Sequence, residues 1–384
     1  MRGFPPEEFQ TRCANAQALM AEANLDALLL TTEPEVRYFT GYLTRFWESP
    51  TRPWFLVLPA SGAPVAVIPS IGAALMGTTW VTDIRTWSAP DLHDDGISLL
   101  SDTLAELVPQ GGRIGMPDGH ETHARMPLAD LEKLRNTLKN RTICGDNGLI
   151  RQLRMVKSPA EVAKIETACA IAGRSFARVP EIAAAGIPLE QVFRRFQMLC
   201  LEEGADWVPY LAGGAGKDGY ADVISPATEE PLAAGDVLML DTGMVHDGYF
   251  CDYDRNWSLG PESPQVASAY DRLIEATDAG AEAARPGATA SDLFHAMNTV
   301  LTRDSDGTDA GRLGHGLGMS LTEWPSLIPD DHTVLEPGMV LTLEPGIAVH
   351  GTDGRILVHE ENILVTDGAP RFLSPRAEQR IIRL

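Results

Sequence analysis

Positive charge is scarce in this chain: 31 lysines and arginines face 53 aspartates and glutamates over 384 residues, a formal net charge of −22. Such a balance argues against nucleic acid or an anionic membrane surface as a partner. Long apolar runs are missing as well. No stretch reaches membrane-spanning length, and the first residues, "MRGFPPEEFQTR", hold no apolar segment of the signal-peptide kind. Cysteine is sparse, with Cys13, Cys144, Cys169, Cys200 and Cys251 scattered, odd in number and without a CxxC pair. That pattern excludes a disulfide framework and a zinc knuckle and fits a reduced, cytoplasmic protein. Internal repeats and low-complexity runs are also lacking. What remains is a globular composition, 44% apolar, in a chain long enough for two domains.

The first part alternates helical and strand-like segments. "EEFQTRCANAQALMAEANL" reads as an amphipathic helix, and "DALLLTT", "PWFLVLP", "APVAVIP" and "GRIGMP" read as strands. The expectation is a small α/β domain with a mixed sheet over residues 1–150. At "KSPAEVAKIE" the register changes: Ser158 is placed as an N-cap, Pro159 opens the helix, and Glu161 completes a capping box. A second domain is expected over residues 151–384. It contains helices, then a glycine-rich stretch, two acidic strands, a helical block and a final third of strands and turns.

Chemistry concentrates in that second domain. "DVLMLD" and "GYFCDYD" read as strands joined by "MVHDG", whose Asp-Gly turns the chain back, so Asp241 and Asp252 fall on neighbouring strands. A carboxylate at the inward end of an apolar strand is costly unless it is paired or binds a cation. His315 sits between glycines in "LGHGLG", Glu344 ends the apolar "MVLTLEPG", and Glu360 lies in "ILVHEENILVT". Four carboxylates and one imidazole make an oxygen-rich set with one nitrogen, suited to a pair of Mn²⁺, Fe²⁺, Co²⁺ or Zn²⁺ ions. Blander readings compete. "HEE" at 359–361 fits an exposed hairpin tip, His246 and Asp247 fit a solvated turn, and Asp254 with Arg255 fits a local ion pair.

The ordered combination of all five resembles the pita-bread metallopeptidases, the family of aminopeptidase P, prolidase, methionine aminopeptidase and creatinase. The match runs through Asp241-Thr-Gly243, Gly248-Tyr249, Asp252 and Arg255, then "GHGLG", "LEPG" and "EENILVT". In the last motif the ligand stands six positions before Thr366, which selects Glu360 over Glu361. The resemblance is strong over 150–384; the first domain agrees in layout and in "YFTGY".

The resemblance implies a creatinase-type α/β N-terminal domain on an α+β pita-bread catalytic domain, in a homodimer. It implies two divalent ions, manganese first, with zinc, cobalt or iron as alternatives. Asp241, Asp252 and Glu360 would hold one ion, and Asp252, His315, Glu344 and Glu360 the other. Glu344 or a neighbouring carboxylate would act as general base. The implied activity is hydrolysis of a C–N bond in a short peptide or other small substrate, Xaa-Pro dipeptides being the family default.

The chain also departs from the family pattern. Thr322 stands where the peptidases carry a second histidine, followed by Glu323, Trp324 and Pro325, and "YADVISPAT" lacks a further histidine. Threonine cannot supply a charged donor to a developing oxyanion. These departures admit a specialised amide or amidine hydrolase resembling ectoine hydrolase, or a lyase of the dimethylsulfoniopropionate type. The lyase branch carries an extra Asp where this chain has Gly243. A non-enzymatic binding protein is the remaining class. Candidate substrate contacts are Arg45, Trp47 and Arg52 in "YLTRFWESPTRPWF", which in creatinase-like dimers overhangs the partner's site, with Trp207, Tyr210, Glu323 and Trp324.

Overall fold

The computed structural model describes residues 2–49, 52–303 and 311–384. The chain divides into two compact units, Met1–Arg154 and Met155–Leu384.

The first unit is built on strands β1 (Ala27–Leu30), β2 (Phe55–Pro59), β3 (Val65–Pro69), β4 (Asp83–Trp87), β5 (Arg113–Met116) and β6 (Thr142–Gly145), in the order β4-β3-β2-β1-β5-β6. β1, β2 and β3 pair antiparallel, whereas β4, β5 and β6 join in parallel. The sheet is therefore mixed, as the alternating sequence predicts. β1, β2 and β3 are buried along their whole length, which is why they read as continuous apolar runs rather than alternating ones. Val57, Leu100, Leu104 and Leu134 belong to one core cluster between this sheet and its helices. Each such side chain contributes about 1.5–3 kcal/mol by leaving water.

In the second unit the helix Pro159–Ala177 starts where its signals predict. The Ser158 side chain accepts from the Glu161 N–H, and the Glu161 carboxylate accepts from the Ser158 N–H. After the helix Leu189–Glu203 come β7 (Trp207–Lys217), β8 (Asp236–His246), β9 (Tyr249–Phe250) and β10 (Tyr253–Ser258). Asp247 (φ 49°) and Gly248 (φ 80°) both occupy the left-handed region between β8 and β9, as a tight hairpin turn requires. The helices Pro264–Ala283 and Ala290–Leu301 follow. Next come β11 (His315–Gly316), β12 (Glu323–Ser326), β13 (Val340–Leu343), β14 (Gly346–Ala348), β15 (Ile356–Val358), β16 (Glu361–Leu364), β17 (Arg371–Phe372) and β18 (Ile382–Arg383).

One sheet runs β18-β10-β8-β7 with β9 beside β8, a second runs β12-β11-β13-β16-β17, and β14 pairs β15. Leu273, Met297, Leu341 and Ile363 sit in the large core cluster that joins the two long helices to these strands. All five cysteines are free thiols. Among the described residues no helix is long and apolar enough to cross a membrane.

Candidate active site

β8 and β10 pair antiparallel with Asp241 directly opposite Asp254, and Asp252 lies two residues before Asp254. Side chains alternate along a strand, so these carboxylates share a face. Like charges directly opposite one another are destabilising, and water does not relieve them here: Asp241, Asp252 and Asp254 are 9%, 4% and 1% exposed. Asn362 fixes Asp252 from behind. Its Oδ1 accepts the Asp252 N–H at 3.0 Å, and its amide donates to the Asp252 carbonyl.

The second sheet brings the other groups. The His315 N–H donates to Thr342 Oγ1 at 3.1 Å, and the Glu344 N–H donates to the Leu313 carbonyl at 2.9 Å, which sets imidazole beside carboxylate. His315 Nδ1 lies 2.8 Å from the Gly316 carbonyl. A carbonyl only accepts, so Nδ1 carries the proton and the neutral ring turns a bare Nε2 toward the acids. That Nε2 is 3.4 Å from Asp252 Oδ2 and 4.0 Å from Glu344 Oε2. Burial pushes the imidazole down to about 4, so it is neutral near pH 7.

Glu360 lies between β15 and β16, its N–H held by Asp254 Oδ1 at 3.1 Å. Ligand atoms of Asp252, His315 and Glu360 all lie within 4.8 Å of one another. Burial, then the neighbouring acids, raises Asp241, Asp252 and Glu360 well above the carboxylate range. Burial lifts Glu344 to about 7, with Arg312 opposing the rise. One third of the Glu344 side chain is exposed, placing it at the solvent edge.

A divalent cation fits this set. Asp241 Oδ1 and Glu360 Oε1 are buried with no hydrogen-bond partner among the described residues, and orphaned carboxylate oxygens inside a protein are expensive. Carboxylates with one neutral imidazole suit Mn²⁺, Fe²⁺, Co²⁺ or Zn²⁺.

Behind the cluster lies a layer that the sequence reading did not resolve. Arg255 pairs with Glu361 at 3.1 Å, donates to the Glu360 carbonyl at 3.2 Å and also reaches the Pro375 carbonyl. It gives Asp254 no side-chain ion pair; only the Asp254 backbone carbonyl accepts from it. A local Asp254–Arg255 pair is therefore replaced by a pair spanning two sheets. Burial alone would raise Glu361, but Arg255, His359 and Ser374 outweigh it and hold the carboxyl down to about 2.

His359, Glu360 and Glu361 are 0–2% exposed, so "HEE" is no hairpin tip. His359 stands 3.5 Å from Asp254 and 3.6 Å from Glu361. Burial opposes its charge, but the flanking carboxylates prevail and raise its pKa. Asp247, expected in solvent, is buried in an ion pair with Lys164. His246 is half-buried, with Nδ1 3.2 Å from the Gly204 carbonyl. The available signal was strand parity: Asp252 and Asp254 point one way, and Arg255 points the other.

The remaining candidates are distributed as follows. Tyr210 and Trp207 lie on β7 with Tyr210 opposite Gly243, and the Tyr210 hydroxyl works against burial by lowering the Asp241 carboxyl. Thr322 is half-buried just before β12, and Trp324 on β12 is also half-buried. Glu323 has both oxygens engaged, one by Lys157 and one by the Ser320 N–H. Arg45, Trp47 and Arg52 belong to the first unit. There Arg45 pairs with Glu48, Trp47 is buried, and the Arg52 guanidinium stacks 4.9 Å over Phe46. Arg125 braces this loop through the carbonyls of Trp47, Ser49 and Arg52.

Comparison with known proteins agrees with this geometry. Residues 163–367 match the family described as Metallopeptidase family M24, and residues 12–156 match the Creatinase/Prolidase N-terminal domain. A probable dipeptidase PepE of Mycobacterium tuberculosis is 32% identical over 96% of this chain and 95% of its own length. An Xaa-Pro dipeptidase of Lactobacillus helveticus is 25% identical over 95% and 97%. The solved structure of dipeptidase PepE from Mycobacterium ulcerans superposes with a TM-score of 0.84 at 29% identity, covering 99% of both chains.

Proposed function

The chain belongs to metallopeptidase family M24, a creatinase-type domain on a pita-bread catalytic domain, and from that premise we propose that this hydrolase is a metal-dependent dipeptidase. Its substrates are short peptides, with Xaa-Pro dipeptides the first to test, because two relatives that match along nearly their whole length are named a probable dipeptidase and an Xaa-Pro dipeptidase. The observation that carries the reading is the convergence of Asp252, His315 and Glu360 within 4.8 Å, beside the unpartnered oxygens of Asp241 and Glu360.

In this reading Asp241, Asp252, His315, Glu344 and Glu360 would hold two divalent cations, manganese first. Bound there, the cations supply an activated water and polarise the scissile carbonyl. The protein's own groups do the rest. His315 offers a neutral Nε2 because its other nitrogen is tied to the Gly316 carbonyl. Asn362 and Arg255 hold the backbones of Asp252 and Glu360, so both carboxylates are oriented before substrate arrives. Glu344, at the solvent edge, takes the proton from the attacking water. Thr322 contributes at most a neutral hydrogen bond at the position where the family pattern has an imidazole, so less stabilisation of the developing oxyanion comes from a side chain.

The same reading makes the enzyme a homodimer of a reducing compartment, in keeping with five free thiols. The test is release of free amino acids from Xaa-Pro and non-prolyl dipeptides by protein reloaded with Mn²⁺, Co²⁺, Zn²⁺ or Fe²⁺. Metal-dependent release is expected. No release with any of the four overturns the dipeptidase reading.

A further inference from the structure

Asn362 holds both backbone groups of Asp252: its Oδ1 accepts the Asp252 N–H at 3.0 Å, and its amide nitrogen donates to the Asp252 carbonyl. An N–H only donates and a carbonyl only accepts, so this amide works in one orientation alone. Its oxygen has a second lone pair, and Cys169 Sγ takes it at 3.3 Å. The Asn362 N–H donates to Ser374 Oγ at 3.0 Å, and the Ser374 hydroxyl donates in turn to Glu361. Asn362 and Cys169 are both 0% exposed, so water competes for none of these bonds.

Cys169 lies inside the helix Pro159–Ala177, 193 positions from Asn362. Its carbonyl accepts the Tyr253 hydroxyl at 2.7 Å, so backbone and side chain alike reach the segment at Asp252. One helical turn on, a Cβ added to Gly173 would come within 2.6 Å of Pro375 Cγ and 3.3 Å of the Tyr253 hydroxyl. A larger side chain there would hold the helix off this layer. The close approach is what brings the thiol to Asn362.

A buried cysteine commonly behaves as a small apolar filler. Two observations set this one apart. Burial, then the charge of Glu361, pushes its pKa up, so the sulfur keeps a proton to donate. Its acceptor is an oxygen that already receives the Asp252 N–H, so the bond bears on Asp252 as well as on the helix. A thiol is a weak donor. Its expected effect is therefore orientation of the acceptor more than stability of the fold.

We propose that Cys169 is a positioning residue of the metal centre: its thiol, delivered by the helix, fixes the Asn362 amide and, through it, the backbone that carries Asp252. The helix thereby becomes a third support of the cluster, beside the two sheets. This goes beyond the dipeptidase reading and rests on it for the metal.

The test compares wild type, Cys169→Ala and Cys169→Ser, each stripped of metal and titrated with Co²⁺, whose visible bands report the geometry of its ligands. Affinity, spectrum, and kcat and KM on an Xaa-Pro dipeptide are measured, together with hydrogen exchange of the Asp252 amide in the stripped protein. A filler and a donor predict opposite orders. If the thiol only fills space, a buried serine hydroxyl without a partner is worse than alanine; if it donates, serine keeps what alanine loses. Cys169→Ala is expected to bind Co²⁺ about tenfold more weakly, with altered bands, a lower kcat at similar KM and faster exchange at Asp252. Cys169→Ser should stay close to wild type in all four. Wild-type affinity, bands and exchange in Cys169→Ala overturn the proposal, as does a serine variant that falls below alanine. A wild type that binds no Co²⁺ overturns the metal reading, while Asp252 exchange still decides whether Cys169 holds Asn362.

Discussion

Arg255 and Glu361 form a buried ion pair at 3.1 Å immediately behind Glu360, whose carbonyl accepts from the same guanidinium. The pair ties β10 to β16 and so couples the strand that follows Asp252 to the segment that carries Glu360. Removing one partner leaves a lone charge in the interior. Glu361→Ala is expected to cost about 3–5 kcal/mol in urea unfolding of the metal-loaded protein. Metal affinity should also fall by about 10–100-fold, the usual effect of losing a group that orients a ligand. An Arg255→Met, Glu361→Leu double variant should lose less stability than the two single losses added together. Additive losses would remove the pair from the account.

The carboxylate cluster predicts opposite effects of one substitution in two states. Asp252→Ala should lose bound metal and all dipeptide turnover, because Asp252 is one of the three groups that converge within 4.8 Å. Stripped of metal, the variant should melt at a higher temperature than stripped wild type, since one desolvated, repelled carboxylate is gone. Metal analysis and calorimetry on both states check this. A lower melting temperature for the stripped variant contradicts the electrostatic description of the cluster.

pH should act on the stripped protein in a definite direction. Glu344 is raised to about 7 in the fold, against about 4.3 for an unfolded glutamate. A carboxyl raised in this way contributes stability that is fully present below the unfolded value and is lost as pH rises through the folded one. Asp241, Asp252 and Glu360 shift in the same direction. Metal-free protein should therefore lose stability between about pH 4 and pH 8, and bound Mn²⁺ should remove most of that loss. Melting curves across this range, with and without Mn²⁺, provide the check; a stability that rises through the window in stripped protein contradicts it.

Two glycines separate backbone from side-chain constraint. A Cβ on Gly316 would strike the Trp324 backbone carbonyl, which cannot move without breaking β11–β12 pairing, whereas on Gly243 it meets the end of the Leu321 side chain. Gly316→Ala should be destabilised by several kcal/mol, at the upper end of single substitutions. Gly243→Ala should fold and bind metal but turn over poorly as Leu321 is displaced. Equal stability for the two variants contradicts this distinction.

The sequence disclosed the parts of this structure that are local. Ser158, Pro159 and Glu161 announce a helix start within a few residues, and Asp247-Gly248 announces a turn. The N-terminal strands stand out as apolar runs because both their faces are covered. The five candidate ligands were legible because each emerges from an apolar or glycine-rich stretch, and because their order resembles a known family.

What stayed hidden depends on partners far apart in the chain. Arg255 meets Glu361 across two sheets, so adjacency to Asp254 misled the reading. Asp247 looked solvated because nothing near it in sequence reveals Lys164, and the same distance concealed Lys157 from Glu323. His359 read as a tip residue, since its burial is set by strands on both sides rather than by its neighbours.

The central claim is that this acidic cluster works as a two-cation dipeptidase centre. The most direct test titrates Mn²⁺ into stripped protein while measuring bound metal and amino acid release from a dipeptide in the same samples. The account predicts that release is absent without metal, rises with occupancy and levels off near two ions per chain. Undiminished release in excess chelator, with no metal bound, would contradict it.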